Sequence, residues 1–305
     1  MAIYNVGGDV LSYVYDSDGS SANKAYNING EIVYNKSSSG LDYSVYTTTD
    51  LYTYVRNSFD GLDVYNGVIA QFTASNSYFL FDLDDCSVLA NNISSTSGHG
   101  DSVTFTNVFY DSNDEFPLVY VTADTSPAVI YLNRITRTGS TLIQTLTFPI
   151  SAGYYGAGAF DFDNNICYLL AYKEENYRTD DGGANTTVVS KWDLSNLTDN
   201  GDGTYTPTFI SQYERAFIYV MQGLQFFDGY VWVASGWTNG GSQYVYAMNP
   251  SNGIIEHTIT LDDTIEIEGL AWVYDESQQK WWMLIGQQNG VNGINYSRID
   301  FAPLT

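Results

Sequence analysis

The chain has 305 residues, with 11 lysines and arginines against 35 aspartates and glutamates, and a formal net charge of −24 at pH 7. A surface this negative repels phosphate backbones and anionic headgroups, so we expect no nucleic-acid partner. No stretch of the sequence is apolar over the length needed to cross a membrane, so no membrane insertion is expected. The chain also carries 27 Tyr, 15 Phe and 6 Trp, and aromatic enrichment is typical of pleated sheet. The composition therefore predicts an all-β fold.

The first 40 residues differ from the rest and predict a small attachment module. YNVGGDV (residues 4–10) and YNINGEI (residues 26–32) share one pattern, in which a central glycine suits a hairpin turn. Two-stranded elements are marginally stable alone, so residues 1–40 are expected to dock on a partner. The opening residues lack the basic and apolar regions of a signal peptide, and none is expected.

Five repeats follow residues 41–56, which themselves predict a strand rich in Tyr, Thr and Val. Each repeat has a small residue at the junction between a polar residue and a strand-like run. The junctions are Gly61, Ser102, Gly158, Gly223 and Gly269, in the segments FDGLDVYNGVIAQF, GDSVTFTNVFYD, GAGAFDFDNNICYLLAY, MQGLQFFDGYVWVAS and IEGLAWVYDESQQKWWMLIG. The junctions lie 41, 56, 65 and 46 residues apart, and repeats of that length with several strands each predict a β-propeller.

The fourth repeat shows the expected unit most clearly, with four strand-like runs: GLQFFDG, YVWVASG, QYVYAMNPSNG and IIEHTITL. The fifth repeat has only three such runs before the chain ends, which would leave an unpaired sheet edge. We predict that a strand from about residues 41–56 supplies the missing one. Residues 41–305 are then a five-bladed β-propeller, preceded by the N-terminal β-hairpin module.

The QGLQFFDGYVWVAS and IEGLAWVYD runs resemble the inner strands of bacterial and phage five-bladed propellers. The GHGDSVTFTNVFYDSNDEFPLVYVT segment resembles a recurring blade of gut bacterial and phage proteins, and the two Tyr-Asn repeats resemble N-terminal tags of phage tail-associated proteins. The propeller resemblance covers residues 57–301 and the N-terminal one residues 1–35. Together they imply a virion appendage or tail-fibre protein of receptor-binding type.

A ligand site is expected where the inner strands begin, at one end of the central channel. The residues before the five junctions should face that end: Asp60, Asp101, Ala157, Gln222 and Glu268, with His99 just upstream of Asp101. Polar groups that converge in a concave place indicate binding. The alternative is that these side chains cap backbone amides and bond one another around the axis.

Three loop aromatics are further candidates: Tyr154, Tyr155 and Trp237. Each could stack on the apolar face of a sugar, and each could equally pack within its own loop.

No metal or cofactor is predicted. The DFDNN run (residues 161–165) and the DNGDG run (residues 199–203) resemble calcium loops, but neither has the terminal bidentate Glu, and both suit a hairpin turn. The two histidines and two cysteines show no zinc-ligand spacing. Cys86 and Cys167 lie among apolar residues and are expected to be buried thiols.

Three functions remain open. The favoured one is a non-catalytic phage tail or appendage protein, located in the virion, that binds a host-surface glycan or protein. It would contact other virion proteins through residues 1–40 and form a homo-oligomer, as tail proteins commonly do. The second is a propeller-type glycoside hydrolase of cell-surface polysaccharide, with Asp60 or Asp63 as base and Glu268 as acid; fold analogy is its only warrant. The third is a purely structural virion component with a filled channel.

Overall fold

The structure is a computed structural model. It describes residues 24–26, 32–35, 40–55, 59–123, 125, 128–150, 154–172, 186–216, 220–236, 243–261, 266–288 and 293–303, with the side chains of residues 24–26, 32–35, 52–55, 154, 155, 216 and 293 left out.

The described residues form strands joined by turns, with no helix among them, which confirms the prediction of an all-β fold. In that part of the chain no helix has the length and apolar character needed to cross a membrane. The strands are β1 (Lys24–Tyr26), β2 (Ile32–Asn35), β3 (Leu41–Val55), β4 (Phe59–Tyr65), β5 (Val68–Thr73), β6 (Ser77–Asp82), β7 (Val88–Ser94), β8 (Val103–Phe105), β9 (Val119–Ala123), β10 (Ala128–Ile135), β11 (Ser140–Phe148), β12 (Tyr154–Asp161), β13 (Ile166–Tyr172), β14 (Thr186–Asp199), β15 (Thr204–Ala216), β16 (Met221–Phe227), β17 (Tyr230–Ser235), β18 (Gln243–Met248), β19 (Ile255–Leu261), β20 (Glu266–Asp275), β21 (Lys280–Gln288) and β22 (Gly293–Pro303).

The strands form five sheets. Three have four strands each, in the orders β4-β5-β6-β7, β16-β17-β18-β19 and β20-β21-β22-β3, and β1 pairs only with β2. The largest has eight strands, in the order β12-β13-β14-β15-β11-β10-β9-β8. This eight-stranded sheet consists of two antiparallel halves, β8 to β11 and β12 to β15, joined by a short parallel contact at Thr145–Thr204 and Leu146–Tyr205.

Side-chain patterning separates the interior strands of each group from the outer ones. Every residue of β5 and β13 is buried, as expected for strands covered on both faces. In contrast, β19 is mostly exposed and forms the edge of its sheet. Tight turns connect the first two strands of two groups. Asn66-Gly67 and Asp228-Gly229 both have positive φ, the requirement of a two-residue hairpin turn.

The core lies between neighbouring sheets, and Tyr43 of β3 shows how they are joined. Its buried ring packs edge-on against Trp232, with ring centres 4.9 Å apart, and against Phe301 at 5.4 Å. Its hydroxyl donates a hydrogen bond to Asp228 Oδ2 at 2.7 Å. A strand from the N-terminal side of the chain therefore packs into the core between the last two four-stranded groups.

The two acidic loops that resemble calcium sites form turns closed by their own side chains. Asp199 Oδ1 accepts a hydrogen bond from Gly201 N at 2.8 Å, and Asp202 Oδ1 accepts one from Thr204 N at 3.0 Å. Asp161 accepts hydrogen bonds from the backbone and the side chain of Asn164. These hydrogen bonds are of the kind by which Asp and Asn side chains stabilise turns.

Candidate functional site

The first strands of the groups (β4, β8, β12, β16 and β20) approach one another closely, and glycines at the junctions make this possible. A Cβ on Gly223 would lie 2.8 Å from Gly269 Cα, and one on Gly269 would lie 2.8 Å from Leu62 N. A Cβ on Gly61 would lie 2.5 Å from Gly100 O. Glycine at these three junctions is therefore a packing requirement of neighbouring backbones, whereas a Cβ at Gly158 would meet the Ile130 side chain.

Beyond the junctions, buried polar side chains link the first strands by hydrogen bonds. The Ser102 hydroxyl lies 2.8 Å from Gly158 O and 3.0 Å from Leu224 O, so it links three first strands. Gln225 Nε2 donates to Val103 O at 2.6 Å. Asp63 Oδ2 accepts a hydrogen bond from the backbone N–H of Phe105 at 2.7 Å.

Asp63 itself is a buried carboxyl group among these hydrogen-bonded side chains. Burial raises its pKa to about 7, although hydrogen bonds from the backbone N–H groups of Phe105 and Val64 act in the opposite direction. Both oxygens are occupied by these donors, so the geometry does not favour Asp63 as the base that the hydrolase hypothesis considered.

Before the junctions, a set of acidic and polar side chains comes together, which we call the acidic cluster. It consists of Asp60, His99, Asp101, Gln222, Glu266 and Glu268. His99 Nδ1 lies 2.6 Å from Asp101 Oδ1 and 3.9 Å from Asp60 Oδ1. The His99 side chain is 46% exposed while Asp60 is buried, so the cluster extends from the interior to solvent.

A short glycine turn holds His99 in place. Gly98 and Gly100 have φ of +61° and +79°, a conformation that side chains rarely adopt. Asn76 Oδ1 accepts a hydrogen bond from Gly98 N at 2.9 Å, and Gly100 N donates to Thr122 O at 3.1 Å. The turn is therefore fixed by the group β4 to β7, in which Asn76 lies between β5 and β6, and by the next group along the chain, in which Thr122 lies on β9.

Glu268 is the most unusual member of the cluster. It is 6% exposed, and no described residue donates a hydrogen bond to its carboxylate. Its pKa is raised well above the ordinary value by burial first, and then by the negative charges of Asp60, Glu266 and Asp101. Burial of a carboxyl group among like charges makes its ionisation costly, so packing alone does not account for an acid at this position.

The residues that the sequence singled out differ in their surroundings. Asp60, His99 and Asp101 each have one polar atom within 4.8 Å of the others, and the charges of Asp60 and Asp101 act on Glu268. Gln222 donates a hydrogen bond to Glu266 Oε1 at 2.7 Å. The third junction has no polar counterpart, because Ala157 lies in an apolar core between sheets. The prediction that Tyr154 and Tyr155 lie in a loop is wrong, because both belong to β12, which pairs with β13; their side chains, like Trp237, lie outside the described residues.

Sequence reasoning missed two features of the cluster. Glu266 was not singled out, although it lies two positions before Glu268 on β20, where a register shift between Ile267 and Gly269 interrupts the regular alternation of the strand. Asp60, His99 and Asp101 also each offer one ligand atom within 4.8 Å of the others, a set that could hold a metal ion. Their sequence separation carries no metal-ligand spacing, so only the folded chain shows this set.

A cavity of about 390 Å³ lies elsewhere, lined by residues that include Tyr65, Asp82, Glu115 and Arg137. Arg137 Nε lies within 3.0 Å of both carboxylate oxygens of Glu115, so these two charges neutralise each other, and Asp82 and Asp84 add two further carboxylates to the lining. The acidic cluster is the better candidate site, because Glu268 is buried there and no described residue forms an ion pair with it.

Comparison with known proteins gives the following result. No protein-family model matches the chain, and no curated protein matches it. Among solved structures, the tail fiber of Staphylococcus aureus phage P68 superposes with a TM-score of 0.49 at 10% identity, over 86% of this chain and 53% of the fiber chain. Myxococcus xanthus glutaminyl cyclase superposes with a TM-score of 0.47 at 10% identity, over 84% of this chain and 97% of the cyclase. The chain thus spans about half the length of the tail fiber it resembles.

Proposed function

We propose that residues 41–305 form a five-bladed β-propeller. Five antiparallel groups of four strands follow one another along the chain, if the eight-stranded sheet is divided at its short parallel contact. Their first strands meet at glycine junctions. The last group takes its fourth strand, β3, from the start of this region, which is the means by which a ring of blades avoids an open edge.

We propose further that this propeller is a non-catalytic binding protein of a virion appendage, and that the acidic cluster receives its ligand. The observation that carries the proposal is Glu268, which is buried, lies within the influence of the Asp60 and Asp101 charges, and receives no hydrogen bond from the described residues. Carboxylates accept hydrogen bonds, and a glycan offers many hydroxyl donors. A host-surface glycan is therefore the ligand class we favour.

The attachment part of the proposal concerns residues 1–40. In this region β1 and β2 form an antiparallel pair, with Lys24 opposite Asn35 and Ala25 opposite Tyr34. A two-stranded sheet of this size needs a further surface to be stable. Other virion proteins are the partner that the proposal implies.

Direct binding measurements test the ligand site. Wild-type protein and the Glu268→Gln variant are titrated with purified bacterial wall polysaccharides, with Glu276→Gln as the control because Glu276 is exposed in a turn after the same strand. We expect wild type and control to bind and Glu268→Gln to lose binding. Binding that Glu268→Gln leaves unchanged would refute the site. If new reducing ends appear during the titration, the protein hydrolyses the polysaccharide and the proposal of a non-catalytic protein is wrong.

Deletion of residues 1–40 tests the attachment role. The truncated protein should keep its fold and its polysaccharide binding but fail to enter virions in a complementation experiment. Normal incorporation of the truncated protein would refute the attachment role without affecting the ligand site.

A further inference from the structure

We infer that Asp60, His99 and Asp101 form a binding site for a divalent cation, and that this cation contacts the ligand of the acidic cluster. The metal site itself stands on geometry alone. Its role in recognition rests on the proposed function.

The three side chains come from two separate segments and offer three different ligand atoms. His99 Nδ1 lies 2.6 Å from Asp101 Oδ1 and 3.9 Å from Asp60 Oδ1, and all three atoms lie within 4.8 Å of one another. A single ion between them would need only small side-chain movements, since two ligands of one metal are typically about 3 Å apart when each metal bond is about 2.1 Å. The site is therefore nearly assembled before any ion binds.

Glu268 is a second and independent observation. Glu268 is 6% exposed, no described residue donates a hydrogen bond to it, and the negative charges of Asp60 and Asp101 act on it. His99 is paired with Asp101, and the described residues form no ion pair with Glu268. A cation at Asp60 would supply the missing positive charge, because the metal ion is the largest local charge in such a site.

The donor set indicates the class of metal. Two carboxylate oxygens with one imidazole nitrogen suit Mn²⁺ or Zn²⁺ better than Ca²⁺, which prefers oxygen ligands only. Three protein ligands leave at least one coordination position open. An oxygen atom of a bound glycan, such as a hydroxyl, has the chemistry to fill that position.

The histidine content of the chain permits a sharp test. There are two histidines in the sequence, His99 and His257, and His257 lies on β19 with its ring against Tyr43 and Tyr230. Chelator-treated full-length protein is titrated with Mn²⁺, and the imidazole signals are followed by NMR. We expect paramagnetic broadening of the signal that His99→Ala removes, and little broadening of the signal that His257→Gln removes.

Calorimetric titration with Mn²⁺ and Zn²⁺ provides the affinity. We expect one ion per chain, and at least about tenfold weaker binding in His99→Ala and in Asp101→Asn. Both side chains reach solvent, so neither change disturbs the core. Equal broadening of both imidazoles, or affinities that these variants leave unchanged, would overturn the site.

A chelator separates this inference from the proposed function. Polysaccharide binding that is lost with EDTA and restored by Mn²⁺ supports a metal that contacts the ligand. Polysaccharide binding that EDTA leaves unchanged overturns that role, even if the ion binds. Metal binding by a protein that binds none of the polysaccharides supports the metal site and refutes the proposed function.

Discussion

Gly61 donates its backbone N–H to the carbonyl oxygen of Gly100 at 2.8 Å, which joins β4 to the turn that carries His99. Asp60 precedes one of these glycines, and His99 and Asp101 flank the other. A single backbone contact therefore sets the separation of all three side chains. The acidic cluster is a consequence of how closely two groups of strands pack.

Gly61→Ala should destabilise the protein and disturb the cluster. The added Cβ would lie 2.5 Å from Gly100 O and 2.9 Å from the Asp101 carbonyl carbon, and neither backbone atom can rotate away. Forced overpacking of this kind costs about 1–3 kcal/mol, which urea unfolding measures. Gly139→Ala is the matched control, since nothing lies within 4 Å of the position of its Cβ. Equal stability of the two variants would contradict this account of the junctions.

Ser102→Ala tests the hydrogen bonds that link the first strands. The hydroxyl reaches Gly158 O and Leu224 O, and both contacts are buried. Its removal leaves these carbonyls without that donor, so we expect a loss of about 1–3 kcal/mol in the free energy of unfolding. Ser211→Ala, at an exposed position of β15, should change stability by less than about 0.5 kcal/mol. A similar small effect of Ser102→Ala would show that the link is dispensable.

Much of the fold could be predicted because its signals are local. Around Gly223 and Gly269, a polar residue, a glycine and an aliphatic run follow one another. This pattern involves only neighbouring residues, and it predicted the positions of β16 and β20. Turn chemistry at Asp228-Gly229 is equally local. The parallel contact between β11 and β15 has no such signal, because it depends on how far the β14–β15 hairpin reaches towards another group of strands.

The candidate site was predictable only in part for the same reason. Asp60 and Glu268 could be named because they precede junction glycines. The contact of Asp60 with His99 depends on the packing of two groups of strands, which no sequence pattern records. Asp63 illustrates the converse. From sequence it is one more acid near Gly61, whereas in the fold its carboxylate is enclosed by backbone donors.

The stability of the protein should depend on pH through Asp63. Burial raises the pKa of its carboxyl from 3.8 to about 7, so between these values the folded chain holds a proton that the unfolded chain has released. The free energy of unfolding therefore falls as the pH rises from about 4 to about 7. At about 1.4 kcal/mol per pH unit, the loss from this group is at most about 4 kcal/mol.

Urea unfolding of wild type and Asp63→Asn across this range isolates that contribution. The variant cannot ionise at this position, so its stability should decline less steeply with pH than that of wild type. The slope is the readout, because the amide also changes the absolute stability by replacing one acceptor. Parallel curves for the two proteins would show that Asp63 does not titrate in this range.

Tyr43 should contribute strongly to the attachment of β3. Tyr43→Ala removes a buried ring that packs on Trp232 and Phe301, and such truncations cost about 3–5 kcal/mol. Tyr43→Phe removes only the hydrogen bond to Asp228 and should cost about 1 kcal/mol. Val45→Ala is the control on the same strand, since Val45 is exposed. Thermal unfolding that ranks the three variants otherwise would contradict the packing of β3.

Both cysteines should be inert in the folded protein. Burial raises the pKa of the Cys86 thiol to about 11, with further contributions from Asp85 and Asp82, and burial raises the pKa of Cys167 strongly. Because the thiolate is the reactive form, a disulfide-exchange reagent at about pH 8 should label neither residue until the chain unfolds. Both should react at once in concentrated guanidinium. The Cys86→Ser and Cys167→Ser variants assign any signal to one residue, and rapid labelling of either thiol under native conditions would show that the connection from β6 to β7, or β13, opens locally.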